Sequence, residues 1–263
     1  MERTDGLTID LMMIVAKYFE TANDFINVIK LNSRYKDICA MYFYNPISDI
    51  RLFPKVQTQH FYNKEDIKYR INGLYKYIFW NQVDQVVFLK KKDNEEYKNV
   101  ILTKYSREIP PVEINNGLCI VPEGITKLGP YCLEFFNITK LILPTSLKSI
   151  ENHALQSINI KDVTIPEGVT KLGELVFNRC YNLNSVQLPS TLKLIEDGCF
   201  NLVNVKTLKI PNSVISIGKG CFFNVDELFL PIHLKNQLKT GSEKDKTTRI
   251  YCIASGTLFS ILK

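Results

Sequence analysis

Six prolines recur at Pro122, Pro144, Pro166, Pro189, Pro211 and Pro231, at intervals of 22, 22, 23, 22 and 20 residues, and this period constrains the chain more than any other feature. An aliphatic residue precedes each of them: Val121, Leu143, Ile165, Leu188, Ile210 and Leu230. An asparagine stands seven residues ahead, at Asn115, Asn137, Asn159, Asn182, Asn204 and Asn224. A unit of this length is too short to bury its own apolar side. It gains a core only when copies of it stack, so the period predicts a solenoid.

Within the unit, the segments LILP, VTIP, VQLP, LKIP and LFLP alternate in, out, in, which is the period of a strand. A three-residue strand is unstable alone, but stacked copies in parallel share a ladder. Proline after the last inward residue ends each strand, because it has no N–H for the neighbour. The next inward positions are Ile125, Leu147, Val169, Leu192 and Val214, then Leu128, Ile150, Leu172, Ile195 and Ile217. Leu133, Leu155, Phe177, Phe200 and Phe222 fill the wider side of the coil, and Gly129, Gly173 and Gly218 suit tight turns there. Stacked asparagine amides can bond backbone groups that the turning chain leaves unpaired, each worth roughly 1–3 kcal/mol if buried. That makes the column architectural, with an amide ladder for ligand binding as the alternative.

The sequence has 263 residues, 45% of them hydrophobic, and a formal net charge of +6. That composition supports a substantial core and excludes wholesale disorder. The positive excess lies outside the repeats, since positions 111–232 hold ten basic and eleven acidic residues. A nucleic-acid binder needs a continuous basic face, and no such face is written here. No signal peptide opens the sequence and no run is long enough to span a bilayer. Seven cysteines lack any CxxC pair, and Cys180, Cys199 and Cys221 are expected at matching places in successive units, adjoining the convex-side aromatic or loop positions. Free thiols in a reducing, cytoplasmic setting are the expectation.

The segments IPEGVTKLGELVF (165–177), LPSTLKLIEDGCF (188–200) and IPNSVISIGKGCF (210–222) resemble the BspA-like leucine-rich repeat, with its IPxxVxxIGxxxF pattern. Closely similar proteins are abundant in parasitic protozoa such as Entamoeba. The resemblance implies an α/β leucine-rich repeat solenoid with a parallel short-strand sheet on its concave face. It also implies protein binding and, in some bacteria, adhesion, and it brings neither enzymatic residues nor a metal site. It covers residues 115–232.

The flanks divide the rest of the chain. Residues 1–50 read as a helical cap, with Leu11, Ile14, Val15, Tyr18 and Phe19 on one helical face and Phe25, Val28, Ile29 and Leu31 on the next. Thr8 or Asp10 caps the first helix and Thr21 to Asp24 recaps the second. The Tyr18-Phe19 ending, the Asp24-Phe25 turn and LNSRYKDI resemble an F-box, although no Leu-Pro opens it and Tyr35 replaces the usual tryptophan. A helical cap of related shape is the alternative. Residues 51–114 read as irregular early coils, with strands near Val56–Tyr62 and at Gln85–Leu89, then a strand and a proline-marked turn in EEYKNVILTKYSREIPPVEI. Trp80, with Phe79, Tyr75 and Tyr77, is expected in a domain-junction core. Residues 233–263 read as a polar loop followed by a short strand, a glycine turn and an apolar tail that caps the array.

His60, His153 and His233 are too far apart in repeat phase to build a zinc site or a catalytic dyad or triad, and no Gly-rich nucleotide loop is present. No catalytic residue, metal ligand or cofactor is therefore expected. His153 is expected at the surface. The outward strand residues form the candidate binding face, one pair per coil: Lys140 and Ile142, Asp162 and Thr164, Ser185 and Gln187, Thr207 and Lys209, Glu227 and Phe229. Mixed charge with apolar residues near both ends suits a protein or peptide rather than a polyanion. Three readings remain open: an interaction scaffold, a substrate-recruiting ubiquitin-ligase subunit whose helices dock an adaptor, and a surface adhesin.

Overall fold

Columns of side chains, one residue per coil, fill the interior of the repeats. Ile125, Leu147, Val169, Leu192 and Val214 form one column with no exposed surface, and Leu128, Ile150, Leu172, Ile195 and Ile217 form the next. Phe177, Phe200 and Phe222 stack nearly parallel, with ring centroids 5.3 and 6.2 Å apart. The computed structural model describes residues 7–69, 74–104, 112–240, 248–254 and 257–261. Packing divides the chain into two units, residues 1–99 and 100–263.

In the second unit each coil has three hydrogen-bonded sides. The first side carries the expected strands: Lys140–Ile142, Asp162–Thr164, Ser185–Gln187, Thr207–Lys209 and Glu227–Pro231. Proline lies beyond the strand in four of these coils, but Pro231 is inside the last one, opposite Ile253. The second side is a parallel ladder of two-residue strands that the alternation pattern did not reveal. It runs in order through Lys127–Leu128, Ser149–Ile150, Lys171–Leu172, Leu194–Ile195 and Ser216–Ile217. Val100–Leu102 pairs ahead of it.

The third side has no strands, yet its backbone is bonded just as regularly. The N–H groups of Leu175, Phe177 and Arg179 donate to the carbonyls of Asp197, Cys199 and Asn201 in the next coil. Alternate residues point their N–H groups to the same neighbour, as in a parallel strand. Two left-handed positions per coil interrupt the extended backbone there: Tyr131, His153, Leu175, Gly198 and Gly220 in one column, and Phe135, Ser157, Arg179, Leu202 and Asn224 in the other.

Two expectations are corrected here. The asparagine column is exposed at all six positions. Buried backbone groups are satisfied instead by main-chain bonds such as Asn159 N–H to the Ile138 carbonyl. Within the column, the Asn182 amide donates to Asn159 Oδ1. Gly129, Gly173 and Gly218 are not left-handed; they permit close approach between coils. A Cβ on Gly173 would lie 2.7 Å from Asn152 N, and one on Gly218 would lie 2.4 Å from Asp197 N.

The first unit begins with α1 (Ile9–Val15) and α2 (Ala22–Leu31). Thr8 Oγ1 accepts the Leu11 N–H, and the Asp24 carboxylate accepts both the N–H and the hydroxyl of Thr21, so both helix starts are capped as expected. The apolar faces are another matter. Phe25 and Val28 are buried, but Leu31 is exposed and α1 buries none of its own residues. The core instead gathers Ala16, Phe25, Ile38, Cys39, Tyr42, Ile47, Ile50, Phe53 and Val56.

A parallel sheet follows, from Thr58–Phe61, Lys76–Phe79 and Glu95–Tyr97. Phe61, Phe79 and Tyr97 stack across it at 4.4 and 4.5 Å. The segment expected as a strand at Gln85–Leu89 is a helix, α3, because the Asp84 carboxylate accepts the N–H groups of Val86 and Val87. Strands at Glu95–Tyr97 and Val100–Leu102 are present, whereas the expected proline turn lies outside the described residues.

After Pro231 the polar segment forms two short 3-10 turns, Ile232–Leu234 and Gln237–Thr240, and residues 241–247 lie outside the description. Arg249–Ala254 then pairs in parallel with the last coil and antiparallel with Thr257–Ile261. The expected apolar tail is thus the outer strand of a hairpin.

Candidate interaction surface

Strand parity decides which side chains face solvent. In the Lys140–Ile142, Asp162–Thr164 and Thr207–Lys209 strands the middle residue is buried and both neighbours are exposed. Ser185 and Gln187 are also exposed, and Glu227 and Phe229 are half-buried. The ten expected residues therefore share one face in two columns. Register holds Asp162 beside Ser185, Thr164 beside Gln187, Thr207 beside Glu227 and Lys209 beside Phe229. Between Ile142 and Asp162, and between Gln187 and Thr207, no strand pairing is present. There the coils are joined through Asn159 N–H to the Ile138 carbonyl and Asn204 N–H to the Leu183 carbonyl.

Four residues absent from the sequence reading extend the columns. Leu118 and Ile120 pair with Lys140 and Ile142, and Arg249 and Tyr251 pair with Glu227 and Phe229. Ile120 and Ile142 are 54% and 43% exposed and form one apolar step at the start of the face. At the far end Tyr251 stacks on Phe229 at 4.7 Å. The signal for Tyr251 was the strand RIYCIA, but which strand it would join cannot be read from spacing. Arg249 also changes the charge, because it pairs with Glu227 at 3.4 Å while Thr207 Oγ1 donates to the same carboxylate. The middle of the face is polar, with Thr164 Oγ1 donating to Gln187 Oε1.

The second ladder carries an alternating charge row. Lys127 and Lys171 both approach Glu151, at 3.8 and 3.9 Å, and Lys171 also meets Glu196 at 2.9 Å. These half-exposed pairs are positioned by the ladder itself and contribute little each. At the loops after the prolines, Glu123 accepts the Thr145 N–H at 2.8 Å and Glu167 accepts the Ser190 N–H at 2.9 Å. Those backbone bonds from the next coil hold both carboxyls below the usual carboxylate range.

The histidines do not converge. His60 belongs to the first unit, His153 stacks on Tyr131 at 4.5 Å, and His233 Nε2 donates to the Val214 carbonyl. His153 is half-buried and left-handed rather than simply at the surface. Every cysteine is free and buried. Burial pushes the Cys180 and Cys221 thiols up to about 12, which withholds the nucleophilic thiolate. Cys132, Cys199 and Cys221 share a column with Ala154 and Val176; Cys180 lies in a different one, with Ile158 and Val203. Among the described residues no group of three or more His, Cys, Asp or Glu could hold a metal ion. No helix among them is long and apolar enough to cross a membrane.

Trp80 is 46% exposed and Tyr75 is exposed as well, so this group does not form the expected core; of the four, Tyr77 alone is buried. The Trp80 indole N–H donates to His60 Nδ1 at 3.2 Å, and the His60 ring stacks on Tyr44 at 4.8 Å. An aromatic run does not by itself tell a core from a surface cluster. The difference lies in strand parity, which sets His60 and Trp80 apart from Phe61 and Phe79.

Stacked coils with a parallel short-strand ladder and a one-residue-per-turn core define a leucine-rich repeat solenoid. Residues 115–229 match the family model described as "BspA type Leucine rich repeat region", in six copies, so the repeats are similar to the BspA-like type. Similar solved structures include the "Pneumococcal vaccine antigen PcpA", 18% identical over 65% of this chain and 42% of that one, with a TM-score of 0.45. A leucine rich cell surface protein from Faecalibacterium prausnitzii is 17% identical over 67% and 53%, with a TM-score of 0.32. A leucine-rich repeat protein from Bacteroides ovatus is 16% identical over 78% and 68%, at 0.25. The chain thus spans about half the length of the first two. Among curated proteins no relative matches the sequence.

Proposed function

We propose that the chain is a non-enzymatic scaffold that holds a protein or peptide on the outward strand columns of its repeats, the expected concave face. The observation that carries this reading is the face itself. It has an apolar step of Ile120 and Ile142 at one end, a stacked Phe229–Tyr251 pair at the other, and a polar middle between them. Apolar anchors set in polar surroundings are the usual chemistry of a polypeptide interface. Asp162, Lys140 and Lys209 would then set orientation and selectivity rather than affinity. A reducing, cytoplasmic location is part of the proposal and rests on seven free, buried thiols.

The test compares partner recovery from the protein's own cell extract by the native chain and by Lys209→Ala/Phe229→Ala, at matched amounts of folded protein. Recovery should fall several-fold while the thermal midpoint falls only modestly, since Lys209 is exposed and Phe229 loses its stacking on Tyr251 but no place in the repeat core. Equal recovery would remove the face from consideration.

A second reading, recruitment of a ubiquitin-ligase adaptor by an F-box-like segment, is favoured by the exposure of Leu11, Ile14, Val15 and Tyr18 on and after α1. It requires that an adaptor be recovered by the full chain and lost on removal of residues 1–45. Attachment to a surface, as an adhesin, would instead show the protein on the outside of intact cells.

A further inference from the structure

The first unit carries a small apolar cleft beside α1. Met13, Ile14 and Lys17 line one side, and Met41, Tyr42, Phe43 and Tyr44 line the other, around about 240 Å³. Ile14 and Phe43 are more than half exposed, and Tyr18, just past Lys17, is 82% exposed. A contiguous exposed apolar surface of this kind marks an interaction site more often than a solvated one. The volume is below that of a drug-sized ligand pocket and suits one large side chain.

Charge and rigidity say what enters. Tyr42 is 3% exposed, and Phe25, Tyr44 and Phe53 hold its ring edge-on, so this wall of the cleft is fixed before anything binds. Its hydroxyl has no surface open to the cleft and takes no part in recognition. Among the described residues Lys17 is the one charged member of the lining, and no acid of the lining stands opposite it.

We propose that this cleft docks a segment of a partner protein that inserts one large apolar side chain and presents a carboxylate beside it. The side chain fills the space between Ile14, Met41 and Phe43. The carboxylate meets the Lys17 ammonium. A lipid surface is the poorer match, because α1 has seven residues and the feature is concave with a single cation, where membranes favour flat apolar faces rimmed by many. The inference uses the first unit alone and does not depend on the repeat face.

The probe is a random-peptide phage library panned on the full chain. The enriched sequences are then made as fluorescent peptides and titrated by polarisation. Enrichment should converge on an aromatic or leucine side chain next to Asp or Glu. Ile14→Asp should weaken the peptide at least about tenfold, as loss of an anchor does. Lys17→Glu should weaken it several-fold and reverse its salt dependence, since repulsion between like charges is relieved by screening. Lys209→Ala/Phe229→Ala should bind the peptide as the native chain does. Failure to enrich, a consensus without acid, or unchanged affinity in Ile14→Asp would overturn the proposal. So would Ile14-dependent sedimentation with phosphatidylserine vesicles in the absence of peptide binding, which would make the cleft a membrane contact.

Discussion

At the left-handed position of the Cys180 coil stands Arg179, with φ 59°, although its neighbours in the column include residues as different as Phe135, Leu202 and Asn224. A side chain with a Cβ loses roughly 1 kcal/mol there relative to glycine. Arg179 is exposed, so Arg179→Gly should raise stability by up to ~1 kcal/mol, read as a higher denaturant midpoint at unchanged slope. A drop would mean the guanidinium holds the turn. None of this was legible, because the column tolerates almost any residue type and leaves no motif.

His60 gives a second prediction at this scale. The indole N–H can only donate, so His60 Nδ1 must be the acceptor and the ring neutral in the bonded state. The Tyr62 hydroxyl donates to the Asn45 carbonyl, and its oxygen lies 3.3 Å from the same Nδ1. On protonation, Nδ1–H turns donor toward Tyr62 and the Trp80 N–H loses its partner. Burial holds the His60 pKa below its ordinary value; Glu96 opposes this, while Lys76 and Lys98 add to it. The unfolded chain therefore binds the proton first. The stability contributed is complete above about pH 6.5 and is lost as the pH falls through the lowered value. Trp80 is the single tryptophan, so its emission should change over that window in the native chain and stay flat in His60→Gln. A pH-independent emission, or one that survives the substitution, would refute the assignment.

Among elements, successive coils are not equivalent. The coils with Glu123-Gly124 and Glu167-Gly168 alternate with those carrying Thr145-Ser146 and Ser190-Thr191. Each glutamate accepts N–H groups from the coil above, and Gly124 and Gly168 donate to the Ser146 and Thr191 hydroxyls. Both glycines are left-handed, at φ 94° and 97°. Inward, Val121, Ile165 and Ile210 are buried where Leu143 and Leu188 are half-exposed. The alternation runs through these four coils and stops at Asn212-Ser213, where the Ser213 hydroxyl donates to the Leu192 carbonyl as that of Thr191 does to Val169; it is visible only once the partners of each loop are known.

The core columns and first-side strands were legible because apolar spacing reports burial directly. The second ladder was not, since its two-residue strands are too short to show alternation, and α3 was misread because two valines outweighed the Asp84 cap. Because the Glu167 carboxyl sits below its unfolded value, its contribution is present above the ordinary carboxylate range near 4.3 and is lost as the pH falls through the lowered value. Glu167→Gln should flatten the acid limb of the unfolding midpoint against pH while changing the neutral value little, because the amide oxygen can still accept the Ser190 N–H. An unchanged acid limb would show that the inter-coil bond does not discriminate between charge states.

A solenoid of nearest-neighbour contacts has no closed surface, so its ends decide how the whole molecule behaves. The last coil meets the Arg249–Ala254 strand over five residue pairs, from Glu227–Arg249 to Pro231–Ile253. That strand is covered in turn by Thr257–Ile261. The proposed binding face and the cap are consequently one surface, since Tyr251 belongs to the cap strand and stacks on Phe229 of the repeats. Sequence spacing located the repeats but left the cap's partner open, because the described elements on either side of residues 241–247 are joined by a polar stretch without period. Removing residues 249–263 should expose the N–H and C=O groups of the Glu227–Pro231 strand, an unprotected edge that pairs with other chains. Light scattering should then show concentration-dependent association of the truncated chain, with the Lys127–Ile217 coils still folded by circular dichroism. A monodisperse, fully stable truncated form would mean that the hairpin adds surface for binding and does not cap the solenoid.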